Sequence, residues 1–234
     1  MTNILAIDTS TPACSAAILL GDEILSKHQL ASREHTRLIL PMVHDLLNEA
    51  GMTLSEMDAI AFTVGPGSFT GIRIGFGVVQ GLAFGAELPV LPVSSLETLA
   101  HTAIRKLQVQ ANTHIIPMFD ARMDEIYSAH FYYCSGHLER LHEDTVCPPE
   151  KIDNEFFDPV TPGAMMVIGD GWNYSERMSI RTPDSTDIAL LPEAQDIFSI
   201  ACPLINEGKT IPVEEANPVY LRDKITWKKR KKLR

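Results

Sequence analysis

Hydrophobic positions follow two periods along the chain, and each change of period predicts a new element. Short apolar or alternating runs predict strands at 3–8, 14–20, 23–28, 59–64, 89–93, 113–119, 125–133, 138–145 and 164–168. Spacings of three and four residues predict helices at 43–50, 70–86, 95–107 and 192–206, with 147–163 mostly loop around a short helix near 151–156. Ser94 and Glu97 have the spacing of a capping box. Pro41 is expected in the first turn of its helix or at a kink, because it has no amide N–H.

The order of these elements predicts an α/β fold with two similar lobes. Each half opens with an antiparallel meander of three strands and then adds parallel strands. We expect a first lobe at 1–109 and a second at 110–211, whose last helix packs back on the first lobe. A C-terminal segment follows at 212–234.

Composition supports a folded chain, since 45% of the 234 residues are hydrophobic and 21% are charged. No run of about 18 apolar residues predicts a membrane span, and the N-terminus has no basic region typical of a signal peptide. Scattered cysteines favour a reducing cytoplasm and argue against a zinc cluster; they are Cys14, Cys134, Cys147 and Cys202.

Charge is distributed unevenly. The chain has a net charge of -10, but residues 222–234 hold eight Lys and Arg against Asp223 alone. This segment therefore carries +7 and the rest of the chain -17. Such a tail is either a solvated end or a contact to nucleic acid phosphates, and the solvated end is the simpler interpretation.

The predicted helix at 70–86 is unusual because it is apolar on every side and rich in glycine, which costs about 1 kcal/mol per residue in a helix interior. Gly77, Gly81 and Gly85 are spaced by four and share one face, and Gly71 and Gly75 form a second such pair. Small residues at this spacing let another backbone approach closely. We therefore predict that one of these faces meets another subunit.

Polar residues that follow two strands are candidates for phosphate or cation binding. Asp8, Ser10 and Thr11 end the first strand, and Asp120 and Arg122 end the strand at 113–119. All of these residue types are also ordinary turn formers.

Between the strand at 59–64 and the following helix, Gly67 and Ser68 offer backbone amides to an anion. The simpler interpretation is a tight turn with Ser68 or Thr70 as the N-cap. The sequence lacks the lysine of a P-loop, the histidine pair of H-E-x-x-H and the nucleophile elbow G-x-S-x-G.

Taken in order, the segments 4–11, 33–36 with Leu40-Pro41, 65–75, 120–127 and 218–222 resemble the TsaB family, also called YeaZ. The resemblance runs from residue 3 to about 229, and Gly-Pro-Gly-Ser-Phe-Thr-Gly-Ile-Arg is its most specific part. It implies two ribonuclease-H-like lobes of the actin, sugar-kinase and Hsp70 ATPase superfold. Family members partner the paralogue TsaD, with TsaE and TsaC, in making threonylcarbamoyladenosine on tRNA.

The resemblance also implies what chemistry to expect. TsaD carries a metal-binding histidine pair four residues apart in the helix that here follows Glu34, whereas His35 is followed four residues later by Ile39. No metal or cofactor is therefore expected. Nucleotide binding stays an open question, and it would use an eroded cleft formed by Asp8, Ser10, Thr11, Gly67, Ser68, Asp120 and Arg122. The implied contact with TsaD, and a competing homodimer, use His35, Leu38, Met42, Leu46, Gly71, Arg73, Ile74, Gly75, Gly77, Val78, Gly81 and Gly85.

These expectations combine into a non-catalytic subunit of a threonylcarbamoyl transferase complex in the cytoplasm. It would bind TsaD, help TsaE to dock, and touch tRNA indirectly or through its basic tail, with no membrane contact. The main alternative is a weak ATPase that uses Asp8 and Asp120 across the cleft between the lobes. A protease is a third hypothesis, although no motif indicates one.

Overall fold

A computed structural model describes residues 2–153 and 162–222 of the chain. Its strands form two five-stranded sheets. The first sheet holds β1 (Asn3–Asp8), β2 (Ala13–Leu20), β3 (Glu23–Leu30), β4 (Ala59–Gly65) and β5 (Val90–Ser94). The second holds β6 (Thr113–Arg122), β7 (Glu125–Cys134), β8 (His137–Cys147), β9 (Ala164–Ile168) and β10 (Ser185–Asp187).

The two sheets repeat one topology. The first has the order β3-β2-β1-β4-β5, in which β1, β2 and β3 are antiparallel neighbours and β4 and β5 run parallel to β1. The second has the order β10-β9-β6-β7-β8, with the same antiparallel meander and two parallel strands. This confirms the α/β fold of two ribonuclease-H-like lobes of the actin, sugar-kinase and Hsp70 superfold.

Four α-helices cover the sheets. They are α1 (His35–Ala50), α2 (Phe69–Ala86), α3 (Ser95–Leu107) and α4 (Phe198–Asn206). Short 3-10 helices occur at Leu54–Glu56, Pro149–Lys151, Asp170–Arg177, Ala194–Ile197 and Val213–Glu215.

The central strand β1 is buried on both faces, which explains its continuous apolar run. Leu5 and Ile7 point to a core shared with α1 and α2. Ile4 and Ala6 point to the opposite core, which contains residues of the 3-10 helix at Ala194–Ile197 and of α4. Helices that come from distant parts of the chain therefore enclose the first sheet.

Sequence position does not decide which sheet α3 and α4 cover. α3 lies within the predicted first lobe, yet its Leu96 and Leu99 join Ile115 and Phe131 in the core of the second sheet. α4 follows the second sheet in the chain, yet Ala201 packs on the first. The two helices connect the lobes by crossing between them.

Several element boundaries differ from the prediction. α1 begins at His35, directly after Glu34 as the resemblance implied and earlier than the apolar periodicity from residue 43 indicated. Pro41 is therefore its seventh residue, beyond the first turn, and lies on the exposed side. The predicted helix at 192–206 divides into a 3-10 turn and α4, and β10 and the 3-10 helix Asp170–Arg177 were not predicted. The predicted short helix near 151–156 is wrong at Ile152 and Asp153, which follow the 3-10 turn Pro149–Lys151 without forming a helix, and residues 154–156 lie outside the described residues.

The capping prediction for α3 is confirmed in part. The Ser94 side chain accepts a hydrogen bond from the Glu97 amide at 3.2 Å, as an N-cap does. The Glu97 carboxylate instead accepts from Arg140 at 2.6 Å, which joins the start of α3 to β8. A tertiary ion pair has thus replaced the second half of the capping box.

Among the described residues, α2 is the one helix that is long and apolar enough to cross a membrane, by length and composition only. This differs from the sequence expectation, which required an unbroken apolar run, because Arg73 and Gln80 interrupt α2. Only 28% of its residues are buried in the protein.

Candidate subunit interface

α1 and α2 pack side by side on one face of the first sheet. Ile39, Val43 and Leu46 of α1 and Val79 and Ala83 of α2 are buried in the core that they share with the sheet. The remaining sides of both helices face away from this core. The predicted interface residues therefore divide into those that the chain buries and those that it leaves exposed.

The glycine pair at the start of α2 faces its own chain. Thr9 donates a hydrogen bond from Oγ1 to the carbonyl oxygen of Gly71 at 2.8 Å. A Cβ atom at Gly71 would overlap the Thr9 carbonyl oxygen, and one at Gly75 would overlap Thr9 Oγ1. These two glycines let α2 approach the turn after β1, so the close contact that they allow is intramolecular.

Gly77, Gly81 and Gly85, here called the glycine face, have the opposite surroundings. A Cβ atom built on any of the three meets no other atom within 4 Å. All three are exposed, whereas Gly75, Val79 and Ala83 form the buried side of the same helix. The contacts of the described chain therefore give no reason for glycine at these three positions.

Apolar side chains flank the glycine face. Ile74 and Val78 are half-buried beside it. Phe84, next to Gly85, is 73% exposed. On the neighbouring helix α1, Leu40 is 49% exposed. An open groove of about 500 Å³ runs past Gly81 and Gly85 towards the 3-10 turn at Leu54–Glu56. The sequence analysis missed Phe84 and Leu40, although both are large apolar residues in helices.

The residues predicted in α1 are less accessible. His35, Met42 and Leu46 are buried, and Leu38 is half-buried. His35 Nε2 lies 2.9 Å from the carbonyl oxygen of Thr11 and 3.1 Å from that of Ala13. Two acceptors at this atom require the tautomer with a proton on Nε2, so His35 fastens the start of α1 to the turn between β1 and β2.

Asp8 is buried, like its predicted cleft neighbour Ser10. Its Oδ1 accepts hydrogen bonds from the Thr63 hydroxyl at 2.6 Å and from the Ser10 amide at 2.9 Å. Within the described chain, Asp8 Oδ2 and Ser10 Oγ are buried without a hydrogen-bond partner. Burial raises the pKa of Asp8, while the hydrogen bonds oppose that shift. The neighbouring Thr11 is also buried.

The loop between β4 and α2 is hydrogen-bonded to the turn that follows β1. The Ser68 amide donates to the Ser10 carbonyl oxygen at 2.7 Å, and a Cβ atom at Gly67 would overlap that oxygen. The Ser68 side chain accepts from the Gly71 amide at 3.2 Å. This confirms Ser68 as the N-cap of α2, one of the two residues that the turn interpretation offered.

Asp120 and Arg122 lie at the end of β6 and bond to each other. Arg122 Nη1 is 2.7 Å from Asp120 Oδ2, and the Arg122 amide donates to Asp120 Oδ1. Tyr174 and Asp170 supply the other hydrogen bonds of Asp120. Among the described residues, Asp8 and Asp120 share no hydrogen-bond partner.

The C-terminal strap, residues 217–222, crosses from the first lobe to the second. The Val219 amide donates to the Val64 carbonyl oxygen at 2.9 Å. Arg222 Nη2 donates to the carbonyl oxygens of Ala121 and Arg122, each at 3.1 Å, and Arg222 Nε donates to Glu125 Oε2 at 2.9 Å. The strap therefore ties the end of β4 to the turn between β6 and β7.

Three side chains meet where the strap passes the start of α2. Arg73 Nε donates to the Tyr220 hydroxyl oxygen at 2.9 Å. The Arg73 guanidinium carbon lies 3.8 Å from the centre of the Phe69 ring, and the rings of Phe69 and Tyr220 are 5.5 Å apart. We call Phe69, Arg73 and Tyr220 the aromatic cluster. It turns Arg73 towards the strap, and the sequence analysis did not single out its two rings.

The described residues contain no group of three or more His, Cys, Asp and Glu side chains placed to hold a metal ion. The four cysteines are free thiols. Burial raises the pKa of Cys14 to about 12, and the charge of Asp8 adds to that shift. Cys14 is therefore a thiol that packs in the core.

Comparisons of the sequence with known proteins identify relatives of this chain. A family model described as TsaD, tRNA N6-adenosine threonylcarbamoyltransferase, matches residues 19–182. The chain is 41% identical over 230 residues to the tRNA threonylcarbamoyladenosine biosynthesis protein TsaB of Escherichia coli, covering 97% of each chain. It is 38% identical to the protein of the same name from Haemophilus influenzae, covering 97% of this chain and 96% of the relative.

A solved structure shows the same fold. The chain superposes on YeaZ from Pseudomonas aeruginosa with a TM-score of 0.87 at 43% identity, covering 94% of this chain and all of the other. Sequence and structure therefore agree over nearly the whole length. The chain belongs to the TsaB family, also known as YeaZ, of tRNA threonylcarbamoyladenosine biosynthesis proteins.

Proposed function

We propose that this protein is a non-catalytic scaffold subunit that binds TsaD through the glycine face and helps to create the docking surface for TsaE. When alone, it pairs with a second copy through the same face. The observation that carries the proposal is the open surroundings of Gly77, Gly81 and Gly85. The match of residues 19–182 to the TsaD family model supports a partner with a similar pair of helices.

In the isolated chain, no contact offsets the cost of having glycine at the glycine face of α2. Each glycine within a helix is about 1 kcal/mol less favourable than alanine. Gly71 and Gly75 compensate for this cost because they allow close packing on Thr9. The glycine face makes no such contact, but it would let a partner helix approach the α2 backbone, with Ile74, Val78 and Phe84 burying apolar surface around it.

The predicted cleft supports a non-catalytic role better than the alternative of a weak ATPase. Burial disfavours the charged form of Asp8, which is the form that would hold a cation. Asp120 is paired with Arg122 and has no hydrogen-bond partner in common with Asp8 among the described residues. Calorimetric titration with ATP and magnesium separates the two hypotheses, since heat of binding that Asp8→Ala abolishes would favour the ATPase.

The proposal also includes a cytoplasmic location and a contact between the basic tail and tRNA. The names of the relatives connect them with tRNA threonylcarbamoyladenosine. Residues 222–234 carry +7, and the remainder carries -17, so the tail is the part of the chain that attracts phosphate. Residues 223–234, including Trp227, lie outside the described residues.

Substitution within the glycine face tests the interface. Gly77→Leu and Gly81→Leu place a bulky side chain where two helices would meet, and overpacking costs about 1–3 kcal/mol. We expect association with TsaD, and self-association, to weaken by about tenfold or more. The measurement is the mass of co-purified complexes in dilution series, with thermal unfolding as a check on the fold.

Ser199→Leu is the matched control, because Ser199 is exposed on α4, which packs on the opposite face of the first sheet. It adds the same side chain to a helix surface outside the proposed interface. Folded Gly77→Leu and Gly81→Leu variants that associate as the wild type does would contradict the interface, and so would equal weakening by Ser199→Leu.

A further inference from the structure

The aromatic cluster leaves two large rings in contact with solvent. Phe69 is 54% exposed and Tyr220 is 45% exposed, although they lie beside each other. Folding buries most aromatic side chains because each carries a large apolar area. The arginine between them is held by a ring face and a hydroxyl group, so the three side chains form one ordered surface.

Arg73 is also unusual in its charge environment. No carboxylate of the described residues forms an ion pair with it, whereas Arg105, Arg140 and Arg177 each contact at least two. Its contacts in the cluster use Nε and the face of the guanidinium group. The terminal Nη groups are left to donate to an anion, in a geometry that suits a phosphate.

Position along the chain connects this surface to the basic tail. Tyr220 is two residues before Arg222, where the described chain ends. The residues that follow, 223–234, hold seven Lys and Arg against one Asp. The body of the protein is strongly acidic, so a polyanion is attracted to this end and repelled elsewhere.

We propose that the aromatic cluster is a stacking platform for unpaired nucleotides of an RNA. A base would stack on an exposed ring of Phe69 or Tyr220, and Arg73 would donate to a neighbouring phosphate. Aromatic rings beside arginine bind single strands with little dependence on sequence, because every base has a π-face. The proposal rests on the proposed function, which supplies tRNA as the RNA.

The experiment measures binding of the full chain to a fluorescein-labelled oligoribonucleotide without internal pairing, to its duplex, and to an unmodified tRNA transcript. Fluorescence anisotropy is recorded over a salt series. Phe69→Ala and Tyr220→Ala are expected to weaken binding of the single strand by about five- to 150-fold, the usual effect of removing one stacking ring. Arg73→Gln is expected to reduce the slope of log K against log salt by about 0.7.

Two controls separate stacking from other effects. Leu30→Ala removes an apolar side chain that is 69% exposed at the end of β3, outside both the cluster and the glycine face, and it should leave binding unchanged. Tyr220→Phe keeps the ring and loses the hydrogen bond to Arg73, so binding should remain close to wild type. Thermal unfolding of each variant shows whether the strap and the fold survive.

The outcomes distinguish the platform from the proposed function. The platform is wrong if the wild type does not bind the single strand or binds the duplex equally well. It is also wrong if the ring variants bind RNA like wild type, including the case in which they lose TsaD while keeping RNA affinity, or if Leu30→Ala weakens binding as much as they do. Association of the wild type with TsaD is measured in parallel, and its absence overturns the proposed function instead.

Discussion

Individual residues show how one amino acid type serves two purposes within a single helix. Gly75 and Gly81 both lie in α2, yet a Cβ atom would overlap Thr9 Oγ1 at the first position and meet nothing within 4 Å at the second. The two positions therefore differ in what glycine contributes to the isolated chain, and the difference is measurable as stability.

Substitution by alanine should change stability in opposite directions. Gly75→Ala is expected to lower the free energy of unfolding by about 1–3 kcal/mol through overpacking. Gly81→Ala is expected to raise it by up to about 1 kcal/mol, because alanine is the better helix former. The free energies of unfolding are measured in urea at low protein concentration, so that self-association does not contribute to the difference. Equal effects at the two positions would contradict the packing that we describe.

Asp8 should make stability depend on pH. Burial raises its pKa in the folded state, so the native protein holds this proton more tightly than the unfolded chain. The stability that Asp8 contributes is therefore present below about pH 4 and is lost as the pH rises through the pKa of the folded state. Each pKa unit between the two states corresponds to about 1.4 kcal/mol.

Asp8→Asn removes this titration and keeps an acceptor for Thr63 and Ser10. We expect the variant to gain stability relative to wild type between pH 3 and pH 7, because the variant no longer buries a charge. Denaturant unfolding at both ends of that range measures the difference in stability between the variant and the wild type. The other carboxylates contribute equally to both proteins, so their effects cancel. A difference that is constant with pH, or that shrinks as the pH rises, contradicts the buried carboxylate.

At the scale of elements, a buried ion-pair network fixes the helices that cross between the lobes. Asp196, in the 3-10 helix Ala194–Ile197, accepts hydrogen bonds from Arg105 Nε at 2.7 Å and from Thr102 Oγ1 at 2.7 Å, both in α3. Glu193 accepts from Arg105 at 2.6 Å. α3 packs on the second sheet and Ala194–Ile197 on the first, so these contacts join the two cores.

Asp196→Ala is expected to lower the free energy of unfolding by about 1–3 kcal/mol, because it removes a buried carboxylate that accepts from the Thr102 hydroxyl and from Arg105, whose side chain is 40% exposed. Glu34→Ala is the control, since the ion pair of Glu34 with Arg37 is exposed and such pairs contribute about 0–1 kcal/mol. Denaturant unfolding compares the two variants. A loss for Asp196→Ala no larger than the control would show that the network does not hold the helices.

On the scale of the whole molecule, charge is separated between an acidic body and a basic end. The strap reaches the turn between β6 and β7 through Arg222 and leaves the tail to start from the second lobe. The proposed attraction of RNA to this end would depend on salt, because each neutralised phosphate releases counterions. In a titration of RNA over a salt series, the tail would contribute phosphate contacts and the rings of the aromatic cluster would contribute stacking.

Truncation after Trp227 removes six basic residues, which are Lys228, Lys229, Arg230, Lys231, Lys232 and Arg234. We expect a complex that contains the truncated chain to bind tRNA more weakly, with a shallower dependence on salt by about 0.7–0.9 for each phosphate that the tail no longer neutralises. Titrations over a salt series, with full-length and truncated complexes, measure both quantities. Unchanged affinity and slope would exclude the tail from the tRNA interface and leave the scaffold proposal intact.

Local sequence determined much of this protein. Each meander and each parallel strand of the repeated topology was predicted from short apolar runs, except β10, which has only three residues. The N-cap Ser68 and the existence of α2 also followed from local chemistry. Strand periodicity, capping and turn signals depend on neighbours in the chain, so they are visible without coordinates.

Tertiary structure decided what each glycine and each carboxylate contacts. Spacing by four places Gly77 and Gly81 on a different face from Gly75, but only the position of Thr9 shows which face packs within the chain. The partners of Asp8, the packing of α3 on the second sheet, and the meeting of Phe69 with Tyr220 join residues that are far apart in the chain. Packing sets such contacts through shape and burial, which a linear pattern does not encode.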